Sequence, residues 1–159
     1  MAAVLNDSME TADARIAAAL AARGRLKDAD LARAQRLHAE AGGSLAALLL
    51  RLGMVCEGDM AEAAAEAMGL PLLAARDCPE APPAGVQLSL RFLKQVSACP
   101  VGEDAGHVDL LVADPQDPYA AEAVALATGR AVRVKVGLRA EIADLIARYY
   151  GSGRSAMGT

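Results

Sequence analysis

The chain has 159 residues, room for one domain or two small units that bury roughly 70% of the unfolded surface. Its hydrophobic fraction of 54% is inflated by alanine, and its aromatics are Phe92, Tyr119, Tyr149 and Tyr150, which argues against base-stacking readers of single strands. A net charge of -4 argues further against nucleic acid as a partner.

In chain order, residues 1–10 read as a disordered terminus. The first helix is expected from about Thr11 to Arg23, with Ile16, Ala19, Leu20 and Arg23 on one face and Gly24 as its C-terminal cap. The second covers about Asp28 to Ala41, with Leu31, Ala34 and Leu37 inward. The third, Ser44 to Leu52, opens on a serine cap and closes at Gly53. The fourth, about Glu57 to Met68, turns Met60, Ala64 and Met68 inward and stops at Gly69.

These helices contain a repeat. Leu20, Gly24, Leu26, Asp28, Asp30, Leu31 and Ala34 recur 29 residues later as Leu49, Gly53, Val55, Glu57, Asp59, Met60 and Ala63. Units of this size cannot bury their apolar faces alone, so the two copies must pack on each other. Such a platform suits the holding of another molecule.

From Leu70 the pattern changes. Leu70-Pro-Leu-Leu73 is a short extended piece, and the prolines between Cys78 and Gly85 demand a loop. Ser89 to Gln95 suits a short helix, and Ser97 to Val101 and Val108 to Ala113 read as strands. Asp117-Pro118 predicts a helix start, with the aspartate as N-cap and the proline at N1, running to about Thr128. Ala131 to Val136 alternates as a strand, and Leu138 to Tyr150 forms a last helix with Ile142, Leu145, Ile146 and Tyr149 inward. Residues 151–159 read as the start of a flexible linker.

The expected fold is therefore α+β. A bundle of about four short helices over 11–69 precedes a small α/β subdomain over 70–150, with a three- to four-stranded sheet and two to three helices.

Charge is uneven along the chain. Twelve acidic residues between Val55 and Thr128 face Arg76, Arg91 and Lys94, and then six basic residues from Arg130 to Arg154 face Glu141 and Asp144. Two readings stand: a solvated surface, or an acidic face and a basic end that dock different neighbours. Cys56, Cys78 and Cys99 lack C-x-x-C spacing and read as reduced, structural thiols of a cytosolic protein. The acidic N-terminus is unlike a signal peptide, and the longest apolar stretch, Leu45 to Val55, is too short to span a bilayer.

Catalytic chemistry is hard to assemble. No lysine follows a glycine, which excludes a phosphate-binding loop, and no G-x-S-x-G elbow occurs. His38 reads as a helix-surface residue, and His107 at its turn has no nucleophile nominated beside it. No helical His/Glu pair or Cys/His quartet suggests a metal, and turn chemistry accounts for the acidic loop Asp114 to Asp117.

Several segments resemble one family in order and spacing: Leu49-Leu-Arg-Leu-Gly53-Met-Val, Met68-Gly-Leu-Pro-Leu72, Leu90 to Gln95, Cys99-Pro-Val101, Val112-Ala-Asp-Pro115, Ala127-Thr-Gly129 and Tyr149-Tyr-Gly151. Together they resemble the N-terminal domain of the type II secretion ATPase, the general secretory pathway E protein, in its xanthomonad type. The module is shared with pilus-assembly ATPases. The resemblance implies that ATP and magnesium belong to a core beyond this chain, so that this chain is no enzyme and carries no cofactor. It implies as partners that core and the cytoplasmic domain of the inner-membrane L component, which anchors the motor for protein export. The domain would thus be cytoplasmic and peripheral at the inner membrane, without inserting into it or binding nucleic acid. Within that reading, Arg23, Arg33, Arg36 and Arg51 of the helical half are the candidate partner contacts.

The family also implies an alternative, cyclic di-GMP sensing, through a repeated R-L-G-x-x-L-x-x-x-G pattern and a glutamine after each second helix. Here Arg15, Leu20 and Gly24 match in the first copy, with Ala17 for the motif glycine and His38 for the glutamine. The second copy keeps Leu49 and Gly53 but has Ser44, Ala46 and Ala67 at the arginine, glycine and glutamine positions.

Overall fold

A computed structural model describes residues 2–151, with side chains from residue 12 onward. The chain divides into two compact units, 1–69 and 70–159. Beyond Gly151, the linker expected at 151–159 falls outside the described residues.

The first unit is helical: α1 (Ala2–Ala22), α2 (Asp28–Ala41), α3 (Leu45–Arg51) and α4 (Glu57–Met68). Helix α1 starts at Ala2, so the backbone of residues 2–10 is helical rather than disordered. The repeat is visible in three dimensions. Leu20 and Leu49 are buried to 0% and 1% exposure, and Ala34 and Ala63 both to 0%. After the first helix of each copy, Arg25 N donates to Leu20 O and Gly24 N to Ala21 O; after the third, Met54 N donates to Leu49 O and Gly53 N to Leu50 O. Each pair is a 6→1 and 5→2 Schellman closure. Gly24 and Gly53 hold the left-handed φ that this closure needs, +70° and +72°.

The two copies pack through α1 against α4 and α2 against α3, around Ile16, Leu20, Leu26, Leu45, Leu49, Val55 and Met60. Leu37, expected inward, is 39% exposed, and Ala34 alone of α2 is fully buried. Neither Lys27 nor Cys56 makes a side-chain cap, so α2 and α4 open on Asp28, Asp30, Glu57 and Asp59 complementing the helix dipole.

In the second unit, Leu72 bridges in parallel to Val136, and a 3₁₀ turn follows at Ala75–Asp77. Then come α5 (Leu90–Val96), β1 (Ala98–Glu103), β2 (His107–Val112), α6 (Tyr119–Thr128), β3 (Ala131–Val136) and α7 (Arg139–Tyr150). The sheet order is β1-β2-β3, antiparallel between the first two and parallel between the last two. The β2-α6-β3 segment is a parallel crossover. Pro100 is tolerated because β1 has a neighbour on one side only, and the register shifts just after it, between Pro100 and Gly102.

Pro118 precedes the hydrogen-bonded helix, with φ -79° and ψ -7°. The Asp117 carboxylate still accepts from Tyr119 N at 3.0 Å, as a capping aspartate should. Helix α7 buries Ile142, Leu145, Ile146 and Tyr149 as its spacing predicts, together with Tyr150. The fold is α+β, as expected from the sequence. Among the described residues, no helix is long and apolar enough to cross a membrane.

Candidate partner surface

The four arginines nominated from the sequence are all exposed, but they differ in what they hold. Arg23 Nη2 lies 3.0 Å from Glu66 Oε2, and its Nη1 lies 3.3 Å from Glu62 Oε2. Arg33 Nη2 lies 3.0 Å from Asp30 Oδ1, one turn back on α2. Among the described residues, Arg36 and Arg51 make no hydrogen bond or ion pair. Each stands next in sequence to an exposed leucine, Leu37 at 39% and Leu52 at 42%. Helices α2 and α3, which carry both arginines, pack on each other.

From the sequence, Leu37 is expected inward and Leu52 is assigned no face. Leu37 lies three residues after the buried Ala34, at helical spacing. Leu52 closes an apolar helix but falls one residue past its last turn.

The residues of the alternative cradle are dispersed in role. Arg15 is exposed and without a partner among the described residues. Leu20 and Leu49 are interior, while Gly24 and Gly53 have open space above them. The His38 ring meets Gly43 O through Nε2 at 2.6 Å, across the turn that follows α2. Ser44 Oγ accepts from Ala47 N at 3.3 Å and caps α3. The N-terminus of α3 has a second acceptor that the sequence did not advertise. Asp13, 5% exposed on α1, accepts from Leu45 N at 3.1 Å.

In the second unit, opposite charges meet at the end of β1 and across β2 and β3. Asp109 and Arg133 are direct register partners on β2 and β3, and their side chains lie 2.7 Å apart. Arg133 also reaches Asp104 at 2.8 Å. Arg130 donates to Glu103 Oε1, Asp104 O and Gly85 O, each at 3.0 Å. His107 Nδ1 lies 3.3 Å from Asp104. Among the described residues, no group of three or more His, Cys, Asp and Glu could hold a metal ion. The Asp114 and Asp117 carboxylates accept from Gln116 N and Tyr119 N in Asx-type turns.

Burial pushes the Cys99 thiol up to about 12, with Cys78 adding to the effect. Burial also pushes the Tyr149 hydroxyl to about 12, and that hydroxyl donates to Pro79 O at 2.6 Å. The Tyr149 hydroxyl thus ties the loop at 78–85, and neither group can serve as a nucleophile near neutral pH.

The MshEN domain model matches residues 68–156. The chain is 57% identical over 153 residues to type II secretion system protein E of Xanthomonas campestris pv. campestris, covering 94% of this chain and 27% of that protein. Its fold matches the N-terminal domain of XpsE with a TM-score of 0.74 at 55% identity, covering 89% of this chain and 97% of the other. A solved structure of MshE with cdg shares the fold at 21% identity, TM-score 0.70, covering 86% and 99%. The chain corresponds to this N-terminal region and not to the catalytic core of a secretion ATPase. It belongs to the MshEN domain family, in the form that makes up the N-terminal domain of XpsE.

Proposed function

We propose that this domain recruits a type II secretion ATPase to the membrane, by binding the cytoplasmic domain of the inner-membrane L component through its helical unit. The motor would then stand on the cytoplasmic face, peripheral to the bilayer, with this domain coupled to the ATPase core. The observation that carries the reading is the pair Arg36-Leu37 and Arg51-Leu52: two cations unpaired among the described residues, each beside an exposed leucine. Free arginine next to apolar surface is the composition that interfaces favour. Arg23 and Arg33 already hold carboxylates of their own unit, so the contact set narrows to Arg36 and Arg51.

Calorimetry of the 159-residue chain against the L component's cytoplasmic domain tests this. Arg36→Glu with Arg51→Glu should weaken binding roughly tenfold or more. Unchanged affinity removes the surface, and absence of binding by the unaltered chain removes the reading.

A second reading, cyclic di-GMP sensing, is favoured by one observation: Arg15 is exposed and unpartnered among the described residues, and the space above Gly24 and Gly53 is open. Against it, Ser44 caps a helix and His38 closes a turn. Saturable binding of cyclic di-GMP that is lost in Arg15→Ala would raise this reading above the first.

A further inference from the structure

Helix α6 carries a single charged residue, Glu122, and packs on the sheet through one face. Ala120 and Val124 face inward at 8% and 0% exposure, and the helix packs on β2 and β3. On the opposite side Tyr119 is 59% exposed and Leu126 88%, the most exposed large apolar side chain among the described residues. Positions 119, 122, 123 and 126 follow one another at helical spacing, so Tyr119, Glu122, Ala123 and Leu126 make one outward stripe. Phe92 of α5 extends it, its ring centroid 6.2 Å from that of Tyr119. A helix that is hydrophobic on both faces belongs in an interior, which the second unit supplies for one face only.

Charge selects the occupant. Glu122 stands between Tyr119 and Leu126, Asp114 and Asp117 precede the helix, and α6 carries no basic residue. Arg130, which follows it, spends its guanidinium on Glu103, Asp104 O and Gly85 O. Arg91 and Lys94 of α5 sit roughly 100° and 200° around that helix from Phe92. A second copy of the same face would set Glu122 against Glu122.

We propose that the outer face of α6 docks an amphipathic helix of another protein, one whose apolar seam is flanked by lysine or arginine. The seam covers Tyr119, Ala123 and Leu126, and a cation meets Glu122. This surface is separate from the cationic one on the helical unit and calls for a partner of opposite charge.

Fluorescence anisotropy with two labelled helical peptides tests the proposal. One has leucines on one face with lysines beside them; the other has glutamates in place of the lysines. The intact chain should bind the lysine peptide saturably and the glutamate peptide much less. Leu126→Ser should weaken lysine-peptide binding by about tenfold. Glu122→Lys should exchange the preference between the peptides. Both residues are solvent-exposed, so circular dichroism and the thermal midpoint should stay as in the parent chain. Arg36→Glu with Arg51→Glu should leave peptide binding unchanged, which separates this outcome from that of the recruitment surface. The proposal is overturned if neither peptide binds, if both bind equally, if Leu126→Ser binds as well as the parent, or if sedimentation shows a dimer that Leu126→Ser dissolves.

Discussion

Arg23 and Glu66 are joined by two donors, Nε at 3.2 Å and Nη2 at 3.0 Å from the same carboxylate oxygen. Glu62, four residues before Glu66 on α4, takes Nη1. The arginine just past the end of α1 therefore grips two successive turns of α4, on the outside of the contact through which the two repeat copies share a core. Arg25, two residues on, reaches Asp59 at 3.6 Å. The exposed rim of that contact is thus ionic, with its charges supplied from within the unit.

Arg23→Ala should accordingly cost stability rather than partner affinity. The pairs are solvent-exposed, so the loss is about 0.5–1 kcal/mol. The check is chemical denaturation beside calorimetry with the L component's domain. A large affinity loss at Arg23, with stability untouched, would return this arginine to the interface.

Asp13 should matter more than any of the exposed arginines. It is buried and caps the N-terminus of α3 from 32 residues away in sequence. Asp13→Ala leaves Leu45 N without that acceptor and should lower stability by about 1–2 kcal/mol. Asp13→Asn keeps an acceptor oxygen and should recover part of the loss. Urea midpoints of the two variants decide it.

The contrast between Asp13 and the repeat shows where the sequence could be read. Gly24 and Gly53, with Leu20 and Leu49 four residues before each, are local signals: a helix end needs a left-handed residue and an apolar anchor within one turn. They fixed both hairpins and the spacing of the four helices. Asp13 and Leu45 are distant in sequence, and nothing local distinguishes a buried capping carboxylate from an exposed one. The same holds for charge. Acidic and basic residues are segregated along the chain yet meet across β2 and β3, because the α6 crossover brings Arg133 into register with Asp109. Leu37, part of the apolar half of the proposed partner surface, is expected inward for want of knowing which face of α2 meets α3, and Leu52 is placed only as a helix end.

The three thiols should react at different rates. Cys56 is exposed, whereas Cys78 and Cys99 are buried with their ionisation pushed up, foremost by burial. A disulfide reagent near pH 8 should titrate one thiol quickly and the other two only on unfolding. The sign at high pH follows. The unfolded thiol ionises near 9.0, while folded Cys99 holds its proton until about 12, so the unfolded state loses protons first and stability declines as pH rises above 9. Tyr149, also held to about 12 from 10.0, steepens the decline. Cys99→Ala should reduce the earlier part of that alkaline loss, leaving the share of Cys78. Thermal midpoints from pH 7 to 10.5 check this, and a parent midpoint that is flat over the range would contradict it.

At low pH the sign reverses, and the Arg130 clamp sets the window. The Gly85 N–H, followed by the Arg130 guanidinium, holds the Glu103 carboxyl below its ordinary 4.5. The Gly106 N–H and then Arg133 hold Asp104 below 3.8. Depressed folded values mean that this stabilisation is whole above about pH 4.5 and drains away as pH falls through the lower folded values. Asp114 acts in the opposite sense: burial raises its carboxyl above 3.8, so protonating it favours the folded state and softens the first part of the acid loss. The parent chain should therefore hold its thermal midpoint from pH 7 to about 5 and lose it progressively below 4.5. Glu103→Gln should begin with a lower midpoint at pH 7 and fall less steeply, because the group that binds the proton is gone. Asp114→Asn should raise the midpoint at pH 7 and sharpen the onset of acid loss. If Glu103→Gln instead runs parallel to the parent at every pH, the Glu103 carboxylate contributes no charge-dependent stability, and the clamp acts through the Arg130 bonds to Gly85 O and Asp104 O alone.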